Sequence, residues 1–314
     1  MPFINTVEFN YAFVGQPRVA PAPSGNLPSY YTVNSGFLMY QPGYNSATLQ
    51  LKTLANINTA TVIRTYTGMV SGAWTYIHDK DLDSNVWYGM AEGGTPKTLV
   101  RHVLAKGGTT VTSNAVGTYA GATTSVLGAC YAPACMWTGT AYGAFIIGGF
   151  NQSVIHVLPF TSSKGLATPY TVPYTSEVYG TEMIPRQASG FNNHYGVAYT
   201  RTSKQMSSWT VVMDSNSSAG WTNRKDNSYT GGTNGPANGD GMIYYPPGKQ
   251  IVANDAATTS NRIAMNDTST ANLYVWTVTE SGTQLNWTYL STIAIANSGG
   301  YPYHMSSNTY DSVS

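Results

Sequence analysis

The amino-acid sequence predicts an all-β protein with a single β-propeller-like domain. Helical periodicity is nearly absent, because no stretch of about twelve residues free of Gly and Pro repeats apolar residues at i, i+3 and i+4. Instead, short runs rich in Val, Ile, Tyr, Trp and Thr alternate with clusters of Gly, Asn, Ser and Pro. These runs recur in a fixed order about every 50 residues, and four short strands per unit at that period are typical of a propeller blade.

The second strand of each unit is predicted from a Tyr-Gly pair that leads into an apolar run. Gly89, Gly143 and Gly196 lie in three such runs and are 54 and 53 residues apart. Residues 249–257 continue the series about one period later. A third strand is predicted after each of these runs, and 61–70 has the same pattern earlier in the chain. The ranges of the predicted third strands are 99–108, 153–163, 209–218 and 273–282.

The last strand of each unit is predicted after a further turn, and in three places it begins with a Trp-Thr pair. These pairs start at Trp74, Trp221 and Trp287. A catalytic motif need not recur, whereas a structural unit that is used several times must do so. The recurrence of the pair therefore supports a repeated sheet.

The first strand of each unit is predicted from apolar runs that often contain proline. Six such runs predict six blades, with five or seven as alternatives and a β-sandwich or a β-helix as other architectures. No strand follows the last run, so strands from the N-terminus are predicted to close the ring, with 6–14 and 30–36 as candidates. The predicted organisation is 1–36 for N-terminal closing strands and a Pro-rich arm, and 37–314 for the repeated blades. The six runs are 37–45, 74–85, 130–137, 182–191, 242–250 and 301–307.

Charge is scarce in this chain of 314 residues, since only 9% of the residues are charged, while 42% are hydrophobic and 12% are aromatic. The net charge is +1 and there is no basic block, so no nucleic-acid partner is predicted. The start of the chain has no cationic leader followed by an apolar run, which predicts that there is no signal peptide. No membrane insertion is predicted, because the most apolar segment, 144–150, is too short and too rich in Gly.

The chain as a whole resembles phage tail-fibre, tail-tip, decoration and other virion-surface proteins. It is rich in Gly, Ser, Thr, Asn and Tyr, nearly uncharged, β-rich, and begins with Met without a signal. The resemblance is one of composition and covers most of the chain. It implies a homo-oligomer located on the virion surface and assembled in the host cytoplasm, or an extracellular protein. The predicted function is a non-enzymatic structural or adhesion protein that binds host glycan or neighbouring virion subunits, with a purely architectural subunit as one alternative.

The other alternative is a propeller glycosidase or polysaccharide-degrading enzyme, which needs two carboxyl groups about 5 to 9.5 Å apart. Glu92 and Asp255 have similar positions after Tyr-Gly-type strands, and Glu182 and Asp240 precede such strands. Residues 218–222, SAGWT, resemble the hairpin of sialidase Asp-boxes. The spacing differs from that motif, so no sialidase catalytic residue is carried over. The prediction is no catalytic residue and no enzyme.

Oxygen-bearing side chains alternate in the segment 78–85, as they do in a calcium-binding loop. Ser84 stands where the usual loop has Gly, and no Glu follows at the twelfth position. A solvated acidic hairpin is therefore the other interpretation, and the prediction is no cofactor, with Ca²⁺ as the alternative. The candidate metal ligands are Asp79, Asp81, Asp83 and Asn85.

Two further pairs of metal-binding residue types are interpreted as structural. His102 and His156 have matching positions in different units, which favours hydrogen-bonded residues of a sheet over a shared metal. Cys130 and Cys135 are separated by four residues. Two buried thiols in a strand-turn-strand are predicted from this pair.

The chain contains 24 Tyr residues, which exceeds what one core needs. Tyr presents a flat apolar face and a polar tip, which suit sugar stacking and protein interfaces. Packing between blades is the alternative for any single Tyr. The ligand-binding candidates are Tyr170, Tyr174, Tyr179, Tyr244 and Tyr245.

Overall fold

The structure, a computed structural model, describes most of the chain from residue 37 to residue 306. The described residues are 37–41, 47–53, 64–70, 72–77, 84–91, 93–105, 108–133, 141–149, 151–161, 165–185, 193–212, 217–245, 261–295 and 303–306. No helix among them is both long enough and apolar enough to cross a membrane. The predicted N-terminal segment 1–36, with its candidate closing strands and Pro-rich arm, lies outside these residues and stays a prediction.

Twenty strands of the described residues form five antiparallel sheets of four strands each, which we call blades 1 to 5. Blade 1 contains β20 (Tyr303–Ser306), β1 (Phe37–Gln41), β2 (Thr48–Thr53) and β3 (Arg64–Thr67). Blade 2 contains β4 (Gly72–Ile77), β5 (Ser84–Ala91), β6 (Lys97–Ala105) and β7 (Thr112–Tyr119). Blade 3 contains β8 (Val126–Pro133), β9 (Ala141–Gly149), β10 (Val154–Thr161) and β11 (Tyr170–Pro173). Blade 4 contains β12 (Gly180–Pro185), β13 (Asn193–Thr200), β14 (Gln205–Val212) and β15 (Trp221–Ser228). Blade 5 contains β16 (Gly239–Tyr245), β17 (Asn261–Asp267), β18 (Asn272–Ser281) and β19 (Gln284–Ala294).

The first strand of each blade lies at the centre of a closed ring. β4 contacts β8, β8 contacts β12, β12 contacts β16, β16 contacts β20, and β20 contacts β4 again. The all-β propeller architecture is therefore confirmed. The described ring is closed in blade 1, where β20 joins β1, whereas the predicted closing strands 6–14 and 30–36 lie outside the described residues. Because the inner strands all begin at the same side of the ring, we call that side the upper face.

The described blades number five, one of the predicted alternatives, rather than the preferred six. The difference comes from the two ends of the repeat, because 37–45 and 301–307 were each counted as the first strand of a separate blade. In the structure they are neighbours in blade 1, where Tyr40 pairs with Met305. Chain composition cannot reveal this, since both runs are apolar and only their pairing assigns them to one sheet.

The order of strands within blades follows the prediction with three exceptions. Trp221 and Trp287 lie in last strands, as expected. Trp74 was assigned both to a last strand and to the first-strand run 74–85, and it lies in β4, the first strand of blade 2. The run 61–70 includes β3, which is the last strand of blade 1 and not a third strand. The predicted second strand 249–257 lies outside the described residues, and β17 fills that position in blade 5.

Apolar side chains fill the spaces between neighbouring blades. Tyr88 and Phe160 stack between blades 2 and 3, with ring centroids 4.5 Å apart. Trp209 and Trp221 of blade 4 pack edge to face in a cluster that includes residues of blade 3. A third cluster joins blades 4 and 5. Both faces of a middle strand are covered by these clusters, and six consecutive residues of β10 are accordingly buried.

Glycines allow the inner strands of blades 3, 4 and 5 to touch at the upper face. An added Cβ on Gly128 would lie 2.6 Å from Gly180 Cα and 2.7 Å from the Tyr179 carbonyl oxygen. An added Cβ on Gly180 would in turn lie 3.6 Å from the carbonyl carbon of Gly241. Three backbones thus meet where a side chain would keep them apart.

The substitution Gly128→Ala should destabilise the protein, because Gly128 has a φ of +54° and no room for a Cβ. We expect the free energy of unfolding to fall by about 2–4 kcal/mol, as measured by urea unfolding. Gly93→Ala is the matched control, since a Cβ there would meet nothing within 4 Å and should change stability by less than about 0.5 kcal/mol. Equal stability of the two variants would contradict the close approach of the inner strands.

Candidate functional site

Glu182 lies on β12, the innermost strand of blade 4, and its side-chain carboxyl group contacts the backbone of two inner strands. One carboxyl oxygen, Oε1, accepts a hydrogen bond of 2.9 Å from the backbone N–H of Met183. The other, Oε2, accepts one of 2.9 Å from the backbone N–H of Tyr244 in β16. An innermost strand has one edge with no strand beside it, so its amides need other partners. Glu182 supplies that partner to two adjacent inner strands and links them.

Burial changes the acid–base behaviour of Glu182. Desolvation raises its pKa to about 8, against the opposing effect of the two backbone N–H groups that favour the ionised form. Part of the residue remains accessible, but its carboxyl group lies among the backbones of inner strands. At neutral pH most of the Glu182 side chains therefore hold a proton, and the group can donate as well as accept.

Cys130 lies near Glu182 on the inner strand of blade 3. Burial raises the pKa of its thiol well above the ordinary value, the nearby Glu182 raises it further, and a hydrogen bond with Thr181 opposes both. The thiol is free and buried, which agrees with the structural interpretation of this residue. Cys135 lies outside the described residues. A protonated, buried thiol is a poor nucleophile. We therefore assign Cys130 a packing role near Glu182.

A charged and aromatic cluster lies at the upper face, next to the start of the same inner strands. The Arg201 side chain donates from Nε to the Gly239 carbonyl oxygen at 2.8 Å, and its guanidinium carbon lies 4.0 Å from the ring centroid of Tyr179. Its Nη2 is 3.9 Å from Oδ2 of Asp240. The Tyr179 hydroxyl donates to Glu177 Oε2 at 2.5 Å. Burial, followed by Glu177, raises the Tyr179 pKa, so the hydroxyl stays protonated.

These two groups of residues lie on the same part of the ring. Glu182 is the third residue of β12, about 7 Å along the strand from its start at the upper face. Arg201 is about one quarter exposed, with 26% of its side chain accessible, whereas Asp240 is buried at 2%. Arg201 therefore presents a partly exposed cation near the start of β12, and Glu182 lies two residues further along that strand.

The structure does not bring the predicted Tyr residues together. Tyr170 and Tyr174 lie towards the outside of the ring, where Trp221 Nε1 donates to the Tyr170 hydroxyl at 3.4 Å and the Tyr174 hydroxyl is 2.8 Å from Ser207 Oγ. Burial raises the pKa of Tyr174 to about 12. These two side chains pack between blades 3 and 4, and ligand binding by them stays a prediction.

The other three predicted Tyr residues lie nearer the centre. Tyr179 belongs to the upper-face cluster, and Tyr244 is a buried residue of β16 beside Glu182. Tyr245 is the last residue of β16. Ligand binding by these residues also stays a prediction, although two of them adjoin the candidate site.

The predicted calcium ligands fall almost wholly outside the described residues. Asp79, Asp81 and Asp83 precede β5, and Asn85 is its second residue. Within the described ranges no three His, Cys, Asp or Glu residues are grouped so that they could hold a metal ion. The calcium site stays a prediction.

The two matching histidines have separate hydrogen-bonding partners. His102 Nδ1 lies 2.8 Å from Ser113 Oγ in blade 2, and His156 Nδ1 lies 2.9 Å from the Tyr119 hydroxyl between blades 2 and 3. Burial lowers the pKa of each to about 4. Both imidazoles are therefore neutral parts of the sheets at physiological pH.

The sequence identified two carboxyl groups of the site and missed the rest. Glu182 and Asp240 do lie on adjacent inner strands, as considered for a carboxyl pair, whereas Glu92 and Asp255 lie outside the described residues. Arg201 was missed, although its position carried a signal: it directly follows the second strand of blade 4, as Glu92 follows that of blade 2.

Comparison with known proteins gives distant structural similarity. The sequence matches no protein-family model and no curated protein. A Lactobacillus plantarum protein is 11% identical with a TM-score of 0.43, and 83% of this chain and 67% of that chain are covered. The periplasmic gluconolactonase of Pseudomonas aeruginosa is 10% identical with a TM-score of 0.42, with coverage of 85% and 70%. A protein of unknown function from Bacteroides caccae is 7% identical with a TM-score of 0.40, with coverage of 83% and 73%.

These comparisons correct one sequence-based prediction. The prediction that the chain is not an enzyme is wrong as an exclusion, because the similar structures include an enzyme, the periplasmic gluconolactonase. None of the three proteins is named as a virion protein. At these TM-scores the similarity assigns neither a substrate nor a residue role to this chain.

The stability of the protein should fall as the pH rises from 7 to 8, because folded Glu182 keeps its proton to a pKa of about 8 while the unfolded side chain, with an ordinary pKa of 4.5, has lost it. The expected decrease in unfolding free energy is about 1 kcal/mol. The contribution is largest at acidic pH and is lost as the pH passes the folded pKa. Urea unfolding at several pH values measures the slope.

Glu182→Gln should abolish this slope, because an amide does not titrate. Asp226→Asn is the control, since Asp226 is an exposed carboxylate of β15 paired with Arg224, and it should keep the slope. A slope that persisted unchanged in Glu182→Gln would mean that another group titrates in this range.

Proposed function

We propose that this protein is a hydrolase that acts on a small carbohydrate-class substrate at the upper face of its ring, with Glu182 as the acid. The observation that carries the proposal is the placement of the Glu182 carboxyl group at the free edges of two inner strands, in a ring whose upper face carries the partly exposed Arg201. Perturbed carboxyl groups in such positions are typical of catalytic sites.

The chemistry follows from the protonated carboxyl group of Glu182. Protonated Glu182 donates its proton to the oxygen that leaves as the C–O bond of a sugar lactone or glycoside breaks. The water that adds to the carbon releases its proton to solvent, and solvent returns a proton to Glu182. Arg201 binds substrate hydroxyl or carbonyl oxygens at the partly exposed rim. A carboxyl group that keeps its proton at neutral pH supplies the acid of such a hydrolysis.

The substrate class is chosen for its chemistry. A substrate rich in hydroxyl groups can use a rim that contains a cation, a carboxylate and the Tyr179–Glu177 pair. The Pseudomonas aeruginosa protein is named a gluconolactonase, and that name supplies the first compound for a test. The support for the proposal is the buried Glu182 carboxyl group, with its two backbone hydrogen bonds and its raised pKa.

The test is hydrolysis of a panel of sugar lactones and aryl glycosides by the purified full chain. We expect turnover of at least one class, with kcat/KM falling above pH 8 as Glu182 loses its proton. Glu182→Gln should lower kcat/KM by about 100-fold or more, whereas Asp226→Asn on the outer strand of blade 4 should match the wild type.

Two results would overturn the assignment of Glu182. One is a folded Glu182→Gln variant with wild-type activity and the same alkaline decline. The other is a folded wild-type protein that hydrolyses no member of either substrate class. Circular dichroism and urea unfolding of each variant separate lost chemistry from lost structure.

We also propose that the chain is located on a virion surface or outside the cell, where it binds host glycan or neighbouring virion subunits. The support is its low charge, with 9% charged residues, and its 24 Tyr residues. This role is compatible with catalysis, since a surface enzyme also binds its glycan. Binding to a glycan array, compared between the wild type and Glu182→Gln, measures attachment independently of turnover.

A further inference from the structure

The outer edge of blade 5 is unlike the outer edges of the other blades. Its last strand, β19, has 11 residues and is the longest of the described strands. Between Gln284 and Ala294 it contains no charged residue and no proline. An open strand edge presents backbone N–H and C=O groups, which readily pair with another strand unless the sequence prevents it.

Three of the other four outer strands carry features that discourage such pairing. β15 contains Arg224, Lys225 and Asp226. β11 and β3 have only four residues each, and β11 ends with Pro173. β7 is shorter than β19, with eight residues, and its pairing shifts opposite Leu99 and Val100 as that of β19 shifts opposite Val275 and Trp276. Short length, charge and proline are among the means by which proteins protect a sheet edge.

β19 also exposes apolar surface. Tyr289 and Leu290 are the large hydrophobic residues with high exposure among the described parts of the chain, at 38% and 39%. The Tyr289 hydroxyl lies 2.8 Å from Thr292 Oγ1 of the same strand. The pairing with β18 shifts at this point, with Trp276 opposite Tyr289 and Val275 opposite Ser291. Leu290 is therefore bulged out of the ladder, next to the exposed Tyr289 ring.

No strand among the described residues pairs with the outer edge of β19, and its second half is the more exposed part. Near its start, β19 is joined to blade 4, because Lys225 Nζ donates to Asn286 Oδ1 at 2.6 Å. From Thr288 to Ala294 the side chains are exposed or half-buried, and none is charged. This segment includes both exposed apolar residues.

We propose that β19 pairs with β19 of a second copy of the chain in an antiparallel arrangement about a two-fold axis. The occupant is a second copy because a two-fold axis places each residue opposite its own equivalents, which is unfavourable for a charged strand and free of repulsion for an uncharged one. The backbone edges then pair with each other, and Tyr289 and Leu290 of both copies are buried at the centre. This dimer is independent of the proposed hydrolysis.

The contact is small, because one pair of edge strands buries less surface than a standard protein interface. The dimer is therefore expected to dissociate on dilution in the micromolar range. Analytical ultracentrifugation of the full chain over a series of concentrations measures this equilibrium directly.

Leu290→Lys should weaken the dimer by about tenfold or more, because two like charges would meet at the axis. Thr292→Lys, at an exposed position of the same strand, should do the same and provides a second variant if Leu290→Lys is unstable. Thr222→Lys is the matched control, since Thr222 is exposed on the outer strand β15 of blade 4, and it should leave the equilibrium unchanged.

Dimerisation that is lost in both β19 variants and kept in Thr222→Lys would support the proposal. A wild-type protein that stays monomeric at about 100 μM would overturn it. So would a dimer whose dissociation constant is the same in folded Leu290→Lys and Thr292→Lys variants, since the contact would then lie elsewhere. Hydrolysis by these variants should be unchanged, because β19 lies at the outer edge of blade 5 and Glu182 lies on an inner strand. Failure of the dimer proposal is therefore distinguishable from failure of the proposed hydrolysis.

Discussion

The pairing of β20 with β1 holds the ring together. Four of the five blades are made of strands that are consecutive in the sequence, so each can pair locally. Blade 1 joins a strand near the C-terminus to three strands from the first part of the described chain. β20 contacts both β16 and β4, so without it the inner strands could not form a closed circle. Ring closure therefore connects the most distant parts of the sequence and determines where the other blades lie.

Closure of the ring also brings the inner strands close together and desolvates groups between them. Five inner strands in a small ring approach so closely that Gly128, Gly180 and Gly241 meet almost backbone to backbone. The same approach leaves inner-strand amides with no strand as a partner. Glu182 accepts hydrogen bonds from two of them and is desolvated as a result. A structural need, the satisfaction of backbone groups, thus produces a carboxyl group with unusual acidity.

The inner and outer edges of the sheets differ in what their strands contact. At the centre, hydrogen bonds and close backbone contacts use the polar groups of the strands. At the periphery, β3 and β11 are short and β15 is charged, whereas β19 is long and neutral. The proposed chemistry belongs to the centre and the proposed dimer contact to the periphery. A change on β19 can therefore alter assembly without touching the carboxyl group of Glu182.

The repeat of about 50 residues was enough to predict strand type, strand order and the propeller architecture, because alternating β-formers and turn residues act locally. The count of blades was not accessible in this way, since 37–45 and 301–307 look like two first strands until they pair. Glu182 and Asp240 could be named as acidic residues near inner strands, but not as members of one site. The contact of Arg201 with Tyr179, and the desolvation that raises the Glu182 pKa, arise from residues brought together across blades. Local patterns thus specified the building unit, while distances and proton affinities depended on contacts between units that are far apart in the sequence.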